Sequence, residues 1–220
     1  MHTKRIASGY GKKPKWVVTP RGPHRKEESI PLLMVVRDIL KYADNAREAR
    51  RIINKGMILV DKKPRKDPRY GVGLMDVIEI PKTGEYFRVL PGKKRHVIKK
   101  INEKESNIKP CKIIDKRLVK KGRIQLNLHD GGNILVDDNK YKPGDTVILE
   151  LPDRKIKDWI KFERGNVAMI VRGRHSGDTG KIDEIFPGSA IHKSLTTMGD
   201  LQTLTEYIFV IGRDKPMIET

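Results

Sequence analysis

Asn45 and Gly56 leave room between them for one short helix and nothing longer. Asn45, with Glu48 three residues on, forms a capping box in which each side chain satisfies an orphan backbone donor of the first turn. Gly56 supplies the left-handed residue on which helices commonly end. Within those limits Ala46, Ala49 and Ile53 fall on one apolar stripe, and Arg47, Arg50, Arg51 and Lys55 make the remaining face largely basic. An earlier helix is expected to start at Ser29 and Pro31, because proline is tolerated in a first turn. Leu33, Val36 and Leu40 then recur at helical spacing. After Gly56, residues 57–60 read as a strand, Asp61-Lys62-Lys63-Pro64 as a turn followed by Arg65, and residues 77–80 as a later strand of the same small sheet.

A cationic helix beside the basic turn of Lys62, Lys63 and Arg65 suits a phosphate backbone. Charge runs are often only a solvated face, so the rest of the chain has to decide. It carries 47 Lys plus Arg against 28 Asp plus Glu, a net charge of +19 over 220 residues. Charge on that scale implies a polyanionic partner, nucleic acid before membrane. No apolar run approaches the roughly 20 residues that span a bilayer, and the basic N-terminus lacks the apolar centre of a secretory signal. Cys111 is the only cysteine, which excludes an internal disulfide and a cysteine zinc site. Aromatic residues make up 5% of the chain, too few for an extended base-stacking platform. Contact with folded RNA through phosphates and shape fits better.

Two further segments concentrate charge. Residues 1–26 hold Lys4, Arg5, Lys12, Lys13, Lys15, Arg21, Arg25 and Lys26 and no acid. Glycine and proline recur through this arm, which is expected to be disordered in isolation and to order on a polyanion. Trp16 is its best stacking residue, and His24 reads as an RNA contact or a packing residue. Residues 93–123 hold 13 basic residues, beginning with Lys93, Lys94 and Arg95, against three acids, with a strand expected around Cys111.

Beyond Arg123 the pattern is β. Ile124, Leu126 and Leu128 alternate with polar residues, a Gly131-Gly132 turn leads to a strand over 134–136, and Pro143-Gly144 leads to another over 146–149. Strands this short suggest a small barrel-like domain with Trp159 and Phe162 in its core. Residues 165–171 read as a buried strand, followed by a loop with glycine at 173, 177 and 180, surrounded by Arg172, Arg174, His175 and Lys181. The loop is not a nucleotide-binding P-loop. Gly180-Lys181 would require glycine where His175 stands and serine or threonine where Ile182 stands. No two histidines have metal-ligand spacing. Asp44, Asp61, Asp76, Asp130 and Asp145 read as turn or capping residues. Neither a catalytic constellation, a metal nor a cofactor is expected.

Arg47-Glu48-Ala49-Arg50, Ile53, Gly56 and Leu59-Val60-Asp61-Lys62-Lys63 resemble the alpha-L, or S-four-type, RNA-binding domain. That domain often has glycine before its late aspartate, where this chain has Met75 before Asp76. The order Lys4-Arg5, Pro14-Lys15-Trp16, Gly22-Pro23-His24 and Pro31-Leu32 is similar to the N-terminus of the archaeal and eukaryotic small-subunit ribosomal family S-four-e. Leu74-Met75-Asp76-Val77-Ile78 and Lys82-Thr83-Gly84-Glu85 are similar to its core stretch. The stretch from Val167 to Ile182 resembles the KOW motif of small SH3-like barrels. The short tail after Gly212 makes the archaeal form the nearer likeness.

The resemblance implies a mostly-β α+β chain in four parts. These are a basic arm (1–28), an alpha-L domain (29–92), a central barrel-like β domain (93–163) and an SH3-like KOW domain (164–220). It implies a cytoplasmic, non-enzymatic protein of the small ribosomal subunit. The partners would be small-subunit rRNA and neighbouring ribosomal proteins, without membrane, small-molecule substrate or homo-oligomer. Two other readings stand beside it. One is an RNA-modifying enzyme, since alpha-L domains accompany pseudouridine synthases, and the other is a KOW-containing transcription-elongation factor.

Overall fold

A computed structural model of the chain describes residues 18–93, 95–119, 122–189 and 191–219. The candidate contacts Lys4, Arg5, Lys12, Lys13, Lys15, Trp16 and Lys94 lie outside those residues. The fold is mostly β with a few short helices, as expected, and it divides into two compact units. Among the described residues, unit 1 comprises 18–90, 95–109 and 150–154, and unit 2 comprises 91–93, 110–119, 122–149, 155–189 and 191–219.

In unit 1, β1 (Ile30–Pro31) pairs with β4 (Gly71–Val72). The first helix starts one residue after Pro31, as α1 (Leu32–Met34), and loosens into a π-helical turn over Val35–Ile39. Leu32 to Val36 are all buried, so this helix is core on every side. α2 (Ala46–Asn54) carries the expected cap: Asn45 Oδ1 accepts from the Arg47 and Glu48 amides, each at 3.0 Å. The reciprocal bond goes one residue further back, with Glu48 Oε2 accepting from the Asp44 amide at 3.2 Å. Ala49 and Ile53 are fully buried, and Gly56 ends the helix at φ +71°.

The sheet of unit 1 has the order β3-β2-β5-β6-β7, from β2 (Leu59–Val60), β3 (Lys63–Pro64), β5 (Val77–Ile80), β6 (Glu85–Leu90) and β7 (Val97–Ile101). Leu59 pairs with Pro64 and Val60 with Lys63, which leaves a two-residue turn at Asp61 and Lys62. Both have positive φ, +53° and +63°, the backbone of a type I′ hairpin turn. The core joins α1, α2 and one face of this sheet through Leu33, Val36, Ile53, Val60, Ile78 and Val89. Each such side chain, fully buried, contributes roughly 1.5–3 kcal/mol.

Residues 18–28 belong to this unit and are laid along it. Arg21 forms a parallel bridge with Tyr70, its amide donating to the Arg69 carbonyl at 2.7 Å and its carbonyl accepting from the Gly71 amide at 2.7 Å. Pro20 and His24 are buried. The expectation of disorder therefore fails for this part of the arm, because its backbone finds partners on the 69–71 segment. A short helix α3 (Glu103–Ser106) follows β7. Its end is held by the buried Arg88, which donates to the carbonyls of Glu105 and Ile108 at 2.8 and 2.9 Å.

In unit 2 a five-stranded sheet has the order β10-β9-β8-β11-β12, from β8 (Ile108–Leu118), β9 (Ile124–Leu128), β10 (Asn133–Val136), β11 (Thr146–Glu150) and β12 (Lys155–Ile160). The alternation of β9 is borne out, with Ile124, Leu126 and Leu128 buried. Asp145 ties the preceding turn to the core. Its carboxylate accepts from the Lys142 and Phe162 amides and from Trp159 Nε1 at 2.9–3.0 Å. Two three-stranded sheets complete the unit: β14-β13-β18, from β13 (Val167–Ile170), β14 (Thr179–Lys181) and β18 (Ile208–Gly212), and β15-β16-β17, from β15 (Glu184–Phe186), β16 (Leu195–Met198) and β17 (Leu201–Leu204). Lys112, part of the basic run, is interior. Its Nζ donates to the carbonyls of Glu206 and Ile208 at 3.0 and 2.6 Å, and burial pulls its pKa down to about 8.

Candidate nucleic-acid interface

The exposed side of α2 presents Arg47, Arg50, Arg51 and Lys55. No ion pair among the described residues involves any of the four, so their charge is directed outward. Two devices hold the geometry. The Asn45 cap fixes the first turn. At the far end Gly56 lets the chain turn under the hairpin, where a Cβ would stand 3.5 Å from Lys66 Cε and 3.7 Å from Pro64 Cβ. The cations of α2 thus continue into Lys63 and Lys66, both exposed. Arg65 lies half-buried over the ring of Tyr70, 4.4 Å from its centroid.

Lys62 takes a different direction. Its ammonium is 2.9 Å from Glu79, donates to Ser106 Oγ at 3.2 Å and lies 5.1 Å above the Tyr86 ring. The positive φ at Lys62 turns the side chain back over the sheet, and its charge is spent inside unit 1. Arg21, Arg25, Lys26, Lys93 and Arg95 are exposed, with Arg25 at 4.0 Å from Glu28.

His24 is not on the surface. Its Nε2 lies 3.0 and 2.9 Å from the two carboxylate oxygens of Asp76. Asp76 also accepts from the Gly73 amide at 2.9 Å and from Lys109 Nζ at 2.6 Å. Lys109 reaches Asp61 at 2.6 Å, and Asp61 accepts from the Val77 amide at 3.1 Å. The result is a buried chain of alternating charge, His24, Asp76, Lys109, Asp61. Burial works to raise the Asp76 carboxyl, but the charges of His24 and Lys109 and their hydrogen bonds hold it well below the usual carboxylate range. Asp61 is pushed up, by burial first and by the Asp76 charge against the opposing pull of Lys109. Gly73 makes room for the arrangement, since a Cβ there would come within 2.3 Å of the His24 ring. Met75, where the alpha-L pattern often has glycine, is fully buried at φ +65°. Glycine would take that left-handed backbone without strain.

In unit 2 the glycine-rich loop is pinned at its base. The Gly177 amide donates to the Ile170 carbonyl at 2.8 Å, and the Ile170 amide donates to the Asp178 carbonyl at 2.9 Å. Gly173 and Gly177 have φ of +92° and +98°. Arg174 and Lys181 are exposed and Arg172 is half-buried. His175 Nδ1 faces Asp178 Oδ2 at 3.3 Å. Among the described residues no group of His, Cys, Asp or Glu side chains could hold a metal ion.

The spacing of the sequence anticipated the cations that α2 exposes, whereas it put the buried Lys109 in a basic run and passed over Lys66, Arg69 and Tyr70. Gly71 and Gly73, two residues apart, were the available signal for close packing. A Cβ at Gly71 would meet Ser29 Oγ at 2.8 Å.

Comparison with known proteins assigns these features a family. The model described as the S4 domain matches residues 30–78, and that described as Ribosomal family S4e matches residues 83–156. A protein of Methanothermobacter thermautotrophicus named small ribosomal subunit protein eS4 is 46% identical over 99% of this chain and 94% of its own length. Proteins of the same name from Methanosphaera stadtmanae and Ignicoccus hospitalis are 49% identical over 91% of this chain and 41% over 99%, covering 85% and 94% of their own lengths. The crystal structure of 30S ribosomal protein S4e from Thermoplasma acidophilum superposes with a TM-score of 0.75 at 35% identity, covering 84% of this chain and 95% of that one.

Proposed function

The chain belongs to ribosomal family S4e, and from that premise we propose that it holds folded small-subunit rRNA through the basic face of α2 and the β2–β3 hairpin. Its relatives share the name small ribosomal subunit protein eS4, and on this reading the chain is a structural component of that subunit, in the cytoplasm. The observation that carries the RNA-contact reading is the α2 face, with four exposed cations, none in an ion pair among the described residues, on an S4 domain. Such cations neutralise closely spaced phosphates and release counterions, so affinity falls steeply with salt.

The loop of Arg172, Arg174, His175 and Lys181 is a second candidate contact, and its strand-loop-strand form from Val167 to Ile182 supports a KOW-type unit. The basic arm (1–28), with Lys4, Arg5, Lys12, Lys13, Lys15 and Trp16, completes the reading as a further rRNA contact. Neighbouring ribosomal proteins are further partners, and the role is scaffolding without catalysis. Family membership favours this reading over an RNA-modifying enzyme or an elongation factor. A sucrose gradient of a gentle lysate tests it. The protein should migrate in stoichiometric amounts with small subunits and stay there at moderate salt. Its absence from those fractions would overturn the reading.

A further inference from the structure

Arg65 and Tyr70 form a contact that charge counting does not anticipate. The Arg65 guanidinium is parked over the Tyr70 ring, with its carbon 4.4 Å from the centroid. Its Nε is buried with no hydrogen-bond partner, and no carboxylate among the described residues pairs with the group. The residue as a whole is only half-buried, so part of it faces solvent. A guanidinium offers planar donors in a fork that matches two phosphate oxygens, and stacking orients that fork before any ligand arrives.

The surroundings repeat the sign of the charge. Arg21 sits on the same backbone bridge as Tyr70, and Arg69 precedes it, both exposed. The one acid of the segment, Asp67, is occupied with the turn itself, its Oδ1 accepting from the Arg69 amide at 2.8 Å. Burial pushes the Tyr70 phenol up to about 12, so its hydroxyl keeps its proton and remains a donor.

We propose that Arg65, oriented by Tyr70 and flanked by Arg21 and Arg69, is a preformed receptor for one RNA phosphodiester where residues 18–28 run along the 69–71 segment. The receptor rests on the rRNA-binding reading above and extends it. It joins the arm to the α2 face in a single phosphate track and gives Tyr70 and Arg69 roles in RNA recognition.

The test is equilibrium binding of the full chain to a small-subunit rRNA transcript over a salt series, with unfolding midpoints measured in parallel. Arg65→Lys retains the charge and loses the fork. It should bind about tenfold more weakly, the worth of one charge-assisted hydrogen bond, with an unchanged slope of log K on log salt. Arg65→Gln should show the same loss and a slope smaller by about one. Should either variant prove unstable, Arg69→Gln decides at an exposed position: weaker binding with a smaller slope supports the receptor, and unchanged binding overturns it. Arg65→Lys binding within about twofold of the parent also overturns it. If at the same time a charge reversal on α2 still weakens binding, the rRNA reading stands without the fork. Failure of the parent chain to bind the transcript would overturn both.

Discussion

The exposed face of α2 and the buried cluster around Lys109 are built from the same kinds of residue and do opposite things. On α2, Arg47, Arg50, Arg51 and Lys55 face outward, and no ion pair among the described residues involves them. In the cluster, His24 and Lys109 meet Asp76 and Asp61 at 2.6–3.0 Å with almost no solvent contact. Water pays little attention to an arginine's lack of a partner at the surface, so that charge stays available to a phosphate. A charge out of water is strongly unfavourable unless it is paired and hydrogen-bonded, so the interior cations are consumed by the fold. Net charge alone does not separate the two, and the +19 of this chain overstates what rRNA can meet.

The largest effect should come from breaking the interior set. Lys109→Met removes the cation between Asp61 and Asp76 and leaves two carboxyls facing each other in the core. Losing one partner of a buried pair typically costs about 3–5 kcal/mol, to be read as a lower denaturant midpoint. Where the variant remains folded, its affinity for rRNA should match the parent's. The next effect runs the other way. Reversing Arg47, Arg50 and Arg51 to Glu should weaken rRNA binding on the order of a hundredfold or more at physiological salt. Surface changes of this kind usually leave stability within about 0.5 kcal/mol each. If the triple variant binds normally, or if Lys109→Met weakens binding without lowering stability, the division between folding charges and binding charges is wrong.

That division was half legible in the sequence, for a physical reason. The α2 face follows from local rules: a cap at Asn45, a stop at Gly56 and a period of 3.6 residues, all within one short segment. The strands of unit 2 were legible in the same way, from their period of two. The buried cluster joins His24 to Asp76 and Lys109 to Asp61, pairs 52 and 48 residues apart, and no local pattern announces such contacts. His24 therefore read as part of a basic arm, and Lys109 and Lys112 read as part of a basic run. Lys62 read as a hairpin cation because its left-handed backbone, which turns it toward Glu79 and Tyr86, is a property of a tight turn without glycine. The Met75 position shows the converse. The alpha-L pattern marks a residue that needs positive φ, and this chain fills it with a buried side chain.

Proton binding separates the two regions a third time, with the smallest effect. Arginine stays charged across the accessible range, so binding through the α2 face should be flat between about pH 5 and 8. The interior is not indifferent. His96, half-buried beside the cluster, bonds through Nε2 to the Glu28 carbonyl at 3.1 Å. Burial first, and then the charge of His24, pull its pKa down to about 4. A folded-state value below the unfolded one means that the unfolded chain takes the proton more readily. The stability due to neutral His96 is complete above about pH 6.5 and is lost progressively toward pH 4. Asp76, whose carboxyl is also held down, extends the loss below the ordinary carboxylate range. Asp61, pushed up, works in the opposite direction and offsets part of it. The His96 contribution alone is a stability lower by roughly 1 kcal/mol at pH 5.5 than at pH 7.5, read from urea midpoints. His96→Gln should remove most of that difference while leaving rRNA affinity unchanged at either pH. A parent chain equally stable at the two values would show that the charges around His96 compensate one another. An affinity that tracks the stability curve would mean that the rRNA reads the buried cluster, and not the arginines alone.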